Sequence, residues 1–165
     1  MNENDTTLDR HLPVAFRPAQ IEDVESVAML LNDLGYPLAL AGLRWTFQRV
    51  LREEAIQVVL AVSPAGEVVG LMTLHRFPAL RLGGLQVSIE ELVVAERHRG
   101  CGIGRQFLQH AVEYAHRQGA VRLEVCSSLA RESSRRGFYL KNGFKAAESR
   151  IYRHDLKQGA EHEAS

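Results

Sequence analysis

Apolar residues change their spacing several times along the chain, and each change predicts an element. Pro13 to Arg17 is a short apolar segment of strand length. From Ile21 the period turns helical: Val24, Val27, Ala28, Leu31 and Leu34 recur three or four apart, and Gly35 follows where a helix end favours glycine. Leu43, Phe47, Val50 and Leu51 repeat that spacing, predicting a second helix over about 39–54. Ile56 to Ser63 is Val-rich and of strand length, Pro64-Ala65-Gly66 is a turn, and Glu67 to Arg76 is a second strand. The two strands and their turn predict a hairpin. Leu85 to Ala95 is another strand.

Ile103, Phe107, Ala111 and Ala115 then line one helix face, with Leu108 and Val112 beside them, and Gly119 ends the helix. Val121 to Cys126 is a short strand. Residues 130–142 read as a helix closing on Asn142-Gly143, and Phe144 to Ala147 and Ile151 to Leu156 as two last strands. The order is strand, two helices, three strands, helix, strand, helix, two strands. It predicts an α/β domain whose mixed sheet has about seven strands flanked by about four helices. The domain is expected over 13–156, with polar, loose ends at 1–12 and 157–165.

Composition narrows the class. The 165 residues suffice for one domain, and 20 Lys plus Arg balance 20 Asp plus Glu. Nothing in the net charge calls for nucleic acid or an anionic membrane, so an anion site must come from local charge. No apolar run approaches the ~18 residues that span a bilayer. Met1 to His11 lacks the basic and apolar regions of a secretory signal. Cys101 and Cys126 have no metal-ligand spacing, and neither do the seven histidines. A reduced, cytoplasmic setting is expected, and a homodimer is left open. His98, His110 and His116 read as surface residues.

The most informative segment runs from Glu91 to Arg105. It places a strand, the basic and Gly-rich turn Arg99-Gly100-Cys101-Gly102-Ile103-Gly104, and a helix start in succession. A helix N-terminus offers unpaired N–H groups and the positive end of its dipole. Glycine lets that backbone approach a ligand and adopt positive φ. The combination suits a phosphate or pyrophosphate, and Arg97, Arg99 and Arg105 add donors. The Walker pattern is excluded because Arg105, not Lys with Ser or Thr, follows Gly104. Gly100, Gly102 and Gly104 are evenly spaced, unlike the dinucleotide fingerprint.

Here the sequence resembles the GNAT superfamily of acetyl-CoA-dependent N-acetyltransferases. Their hallmark is Arg or Gln, two residues, Gly, one residue, then Gly or Ala, and Arg99, Gly102 and Gly104 match it. Phe138-Tyr139, three residues, then Gly143-Phe144 is similar to the family's second signature, and the likeness extends from about Val14 to Leu156. The resemblance implies acetyl-CoA as co-substrate, held by Arg99, Gly100, Cys101, Gly102, Ile103, Gly104 and Arg105. It implies that the strand Leu92-Val93-Val94 pairs with the pantetheine arm, Leu92 and Val94 offering the main-chain groups. It also implies an amine acceptor, either a small molecule or a peptide.

Acetyl transfer to an amine needs a base, because an alkyl ammonium has a pKa of ~10.4, and it benefits from an acid for the leaving thiolate. Glu91 matches a position where some relatives carry the base. Glu90 and Glu91 point to opposite faces of a regular strand, so at most one faces the cleft, acting directly or through water. Tyr139 matches the family's general acid, a core aromatic being the other reading. Where relatives often carry Asn seven residues before this tyrosine, the chain has Glu132, which cannot donate as an amide can. Arg135 or Arg136 on the same helix face is an alternative phosphate contact.

Tyr36 and Trp45, in the region the family uses to shape its acceptor pocket, either line an apolar slot or serve as packing anchors. Residues 77–85 are a second candidate lip, and His75 and Arg76 end the strand before it. Two further readings are a coenzyme A-binding sensor without catalysis and a module for another nucleotide. Glu91 and Tyr139 favour the enzyme over the first, and the glycine spacing disfavours the second. A nucleophilic cysteine is the weaker mechanism, since Cys101 sits mid-turn and Cys126 at a strand end.

Overall fold

The computed structural model describes residues 11–128 and 136–156. They fall into two units divided after Ser128, each taken here by itself.

The first unit holds five strands: β1 (Ala15–Pro18), β2 (Ile56–Val62), β3 (Val68–Ala79), β4 (Gly84–Val94) and β5 (Ala120–Val125). They lie side by side in chain order. Neighbours are antiparallel from β1 to β4, and β5 joins β4 in parallel. The parallel pair follows from its connection: α3 (Ile103–Arg117) runs back along the sheet between them.

Helices α1 (Val24–Asp33) and α2 (Leu40–Val50) cover one face of the sheet, their Val27, Leu30, Leu43 and Phe47 packed with Val58, Leu60, Leu71 and Val93. The other face takes α3. A Cβ built on Gly70 of β3 would stand 2.6 Å from Phe107 of α3, so the lack of a side chain there lets helix and sheet close together. The apolar stripe of α3 is buried as its spacing predicts, at Ile103, Phe107, Ala111 and Ala115. Gly35 ends α1 at φ 95° and Gly66 turns the β2–β3 hairpin at φ 82°, both left-handed positions that glycine takes without strain.

The second unit shows α4 (Phe138–Lys141) among its described residues; the rest of the expected 130–142 helix lies mostly outside them, Glu132 and Arg135 included. Asn142-Gly143 closes α4 as the sequence implies, with Gly143 at φ 88° and the Phe144 N–H donating to the Tyr139 carbonyl at 3.1 Å.

Three expectations are corrected. Among the described residues the sheet has five strands, not seven: residues 144–147 and 151–156 form no strand, and Ile151, Tyr152 and Leu156 are exposed. A strand exists through backbone pairing, and a lone two-stranded hairpin is at best marginally stable in water. The second helix stops at Val50, short of residue 54. The strands expected to end at Arg76 and to begin at Leu85 run further: β3 continues to Ala79, β4 begins at Gly84, and one turn of 3₁₀ helix at Leu80–Leu82 links them.

Candidate active site

The site is built on β4. Its register with β3 passes from Leu74↔Ile89 to Thr73↔Glu91, leaving Glu90 without a partner as a β-bulge. The bulge re-aims the strand. Gly70 faces Phe107, so Met72, Leu74 and the opposing Ile89 face α3; Leu71 and Val93 pack with α1 and α2, so Thr73 and Glu91 share that second face. Glu90 is exposed and Glu91 is half-buried. Burial pushes the Glu91 carboxyl above the usual carboxylate range, while a hydrogen bond from Thr73 pulls the other way.

Beyond this point β4 parts from β5. Their last register pair is Ile89↔Val125, and among the described residues no strand pairs with β4 on that side past Ile89. The Ala95 N–H donates to the Val69 carbonyl at 2.9 Å, which turns the main-chain groups of Val93 and Ala95 toward β3. Antiparallel alternation then turns those of Leu92 and Val94 toward the open side. The Val94 carbonyl already accepts from Arg99 Nε there, at 3.3 Å. Val93 itself is buried in the core.

The open edge leads into the Gly-rich turn. One turn of 3₁₀ helix (Glu96–His98) is followed by Gly100 at φ 77° and Gly102 at φ 75°, and α3 begins at Ile103. Gly102 caps the helix in the left-handed region, so a side chain there would be strained. Gly104 differs from the other two: it lies inside the first turn of α3 with helical backbone. The fifteen-residue helix points its unpaired N-terminal amides out of this turn. An anion followed by an extended, amide-bearing arm fits the turn and the open β4 edge together.

The arginines divide their work. Arg97 forms an ion pair with Glu67 of the β2–β3 hairpin. Arg99 donates to the Asp33 carbonyl at the end of α1 (3.0 Å), tying that helix to the turn, while Asp33 Oδ2 accepts the Glu96 N–H at 3.1 Å. Arg105 is exposed. Two histidines read as surface residues are instead substantially covered. His98 has a buried Nδ1 and stands 4.0 Å from Glu67, and His110 has a buried Nε2 and stacks on Phe16 at 4.8 Å. His116 is exposed as expected. Cys101 is partly covered and Cys126 exposed. Tyr36 and Trp45 are exposed, and Arg49 lies 4.9 Å over the Trp45 ring.

The face carrying Glu91 continues as a row in which sequence reasoning pointed to His75 alone. His75 stands opposite Ser88, and Phe77 opposite Gln86. Gln86 is buried, accepting from Arg81 at 2.8 Å and donating to Glu124 of β5 at 2.7 Å. The signal was present in the alternation Thr73, His75, Phe77, but its meaning depends on which face the helices leave bare.

In the second unit, Tyr139 is half-buried in α4 and packs edge-on against Phe138 (5.1 Å) and Phe144 (6.0 Å). Its signature residues thus form a local aromatic cluster.

With bulge, open edge and glycine turn in succession, comparison with known proteins is decisive. The profile of the acetyltransferase (GNAT) family matches residues 23–144. The chain belongs to that family. It is an acetyl-CoA-dependent N-acetyltransferase. An aminoalkylphosphonate N-acetyltransferase from Salmonella typhimurium is 35% identical over 146 residues, 85% of this chain and 91% of its own. A glucosamine 6-phosphate N-acetyltransferase from Trypanosoma brucei brucei is 29% identical over 140 residues, 82% of this chain and 91% of its own. Among solved structures, a Trypanosoma brucei acetyltransferase superposes with a TM-score of 0.68 at 28% identity, over 87% of this chain and all of that one. No helix among the described residues is long and apolar enough to cross a membrane.

Proposed function

We propose that this enzyme acetylates the primary amine of a small molecule that also carries a phosphoryl-type anion, by direct attack within a ternary complex. The observation that carries the mechanism is Glu91: a half-buried carboxylate of raised basicity, set by a bulge beside the open edge of β4. The phosphoryl requirement rests on the two relatives, which by name act on an aminoalkylphosphonate and on glucosamine 6-phosphate.

In this reading the N–H groups of the turn from Gly100 to Arg105 hold the coenzyme's pyrophosphate, with Arg105 as an exposed cation beside it. Main-chain groups of Leu92 and Val94 bind the pantetheine arm, and Val93 anchors that strand in the core. Acetyl-CoA supplies the activated acyl group. Glu91 takes the proton that the amine gives up as its nitrogen bonds to the acetyl carbon. Tyr139 gives its hydroxyl proton to the thiolate released when the carbon–sulfur bond breaks. Bringing the partners together contributes most of the acceleration, since orientation is worth ~7–11 kcal/mol.

The test is product detection by mass spectrometry across matched amines: aminoalkylphosphonates, phosphorylated amino sugars, the same amines without phosphoryl groups, polyamines and peptides. Preferred turnover of the phosphoryl-bearing amines is expected. Equal turnover of the dephosphorylated analogues, or acetylation of peptides alone, would overturn the acceptor assignment.

A further inference from the structure

Residues 12–14 cross the base of the Gly-rich turn and are pinned there by one side chain of α3. The Leu12 N–H donates to the Cys101 carbonyl at 3.0 Å. Gln106 Nε2 donates to the Leu12 carbonyl at 2.9 Å, and Gln106 Oε1 accepts the Val14 N–H at 3.4 Å. The Gln106 amide therefore pairs with this segment much as a neighbouring strand would, using both its donor and its acceptor. Its own main-chain N–H bonds the Gly102 carbonyl at 3.2 Å, so Gln106 is fixed at the root of the turn.

The segment is held firmly at its other end. It runs directly into β1, which is paired to β2, and Phe16 of β1 packs on Phe107 and His110 of α3 at 4.9 and 4.8 Å. The turn, by contrast, contains two left-handed glycines, and a Cβ on Gly100 would meet nothing within 4 Å. Such a backbone has many alternatives to the shape that presents its amides, and ordering it on binding would weaken affinity. Arg99 secures the entry to the turn through the Asp33 and Val94 carbonyls, and the strap secures its middle at Cys101.

We propose that Gln106 is a positioning residue for acetyl-CoA: by strapping Leu12 and Val14 across Cys101, it holds the Arg99–Arg105 turn in its coenzyme-binding shape. The inference rests on that turn being the coenzyme site. The Cys101 carbonyl accepts from the strap and the Gly102 carbonyl from the Gln106 main chain, so both are fixed from within the fold.

The test is calorimetric titration of acetyl-CoA into the full chain and into Gln106→Leu, with steady-state kinetics on both. Gln106→Leu should raise the dissociation constant roughly tenfold, as expected when two hydrogen bonds ordering a binding loop are lost. The turnover number at saturating acetyl-CoA and the KM for the amine should stay at wild-type values, a split that general destabilisation would not produce. Gln106→Glu keeps the acceptor for Val14 but sets a carboxylate oxygen against the Leu12 carbonyl, so its affinity should fall at least as far as that of the leucine variant; it also serves if the leucine variant folds poorly. In a chain beginning at Pro13, Gln106→Leu should cost far less than it does in the full chain. Unchanged affinity in both Gln106 variants, or the same loss with and without residues 1–12, would overturn the proposal. Gly102→Val separates it from the underlying reading. If that variant still binds normally, the turn is not the coenzyme site; if it fails to bind while Gln106→Leu binds as wild type, only the strap is wrong.

Discussion

Thr73 and Glu91 face each other across β3 and β4, and the Thr73 hydroxyl favours the charged form of the Glu91 carboxyl. The two influences on Glu91 therefore oppose one another: burial favours the protonated acid, and the Thr73 bond favours the carboxylate. Thr73→Val keeps the volume and removes the donor. It should shift the acid limb of the kcat/KM profile to higher pH. An unmoved limb would mean that another group controls it.

Glu91→Gln preserves the shape and removes the base. Turnover should fall by roughly 100- to 10,000-fold and partly recover in alkaline buffer, where more amine is neutral. Stability should move the other way. The folded carboxyl holds its proton to higher pH than the unfolded one, so folding loses stability as pH rises from the ordinary carboxylate value through the raised one. At neutral pH the amide variant should melt above wild type.

Tyr139→Phe retains the ring and its contacts with Phe138 and Phe144. If the hydroxyl protonates the leaving thiolate, kcat should drop by about 100-fold or more while the dissociation constant for acetyl-CoA stays nearly constant, because the lost interaction forms in the transition state. Wild-type turnover would leave Tyr139 a packing residue.

His110 provides a separate pH signature. Burial lowers its imidazole below the ordinary value, with Arg117 adding to the effect and Glu113 opposing it. Above about pH 6.5 the group is neutral whether folded or unfolded. Below that the unfolded chain takes up a proton that the folded one resists, so stability falls with falling pH. His110→Leu should flatten this acid slope in denaturant titrations below about pH 6.5.

Gly70→Ala tests the closeness of α3 to the sheet. The added methyl meets the Phe107 ring and lies 3.1 Å from the Val93 carbonyl, and neither is free to retreat. A loss of ~1–3 kcal/mol is expected from overpacking. Urea unfolding would show it as a lower midpoint with an unchanged slope.

The sequence by itself determined what is local. The period of Ile103, Phe107, Ala111 and Ala115 marked the buried stripe of α3, and glycine at 100 and 102 marked the left-handed turn before it, because helix faces and φ preferences are set within a few residues. Pairing between distant strands is not. The bulge at Glu90, the parting of β4 from β5 after Ile89, and the Thr73–Glu91 contact exist only once the register is chosen, and no single strand carries that choice. The same limit explains the two strands expected over 144–156: local β preference predicted them, but a strand needs a partner. It also explains Gln106, which on a helical wheel is one more polar residue beside Arg105. Its two bonds to Leu12 and Val14 span more than ninety residues of chain, and only the folded sheet brings those ends together.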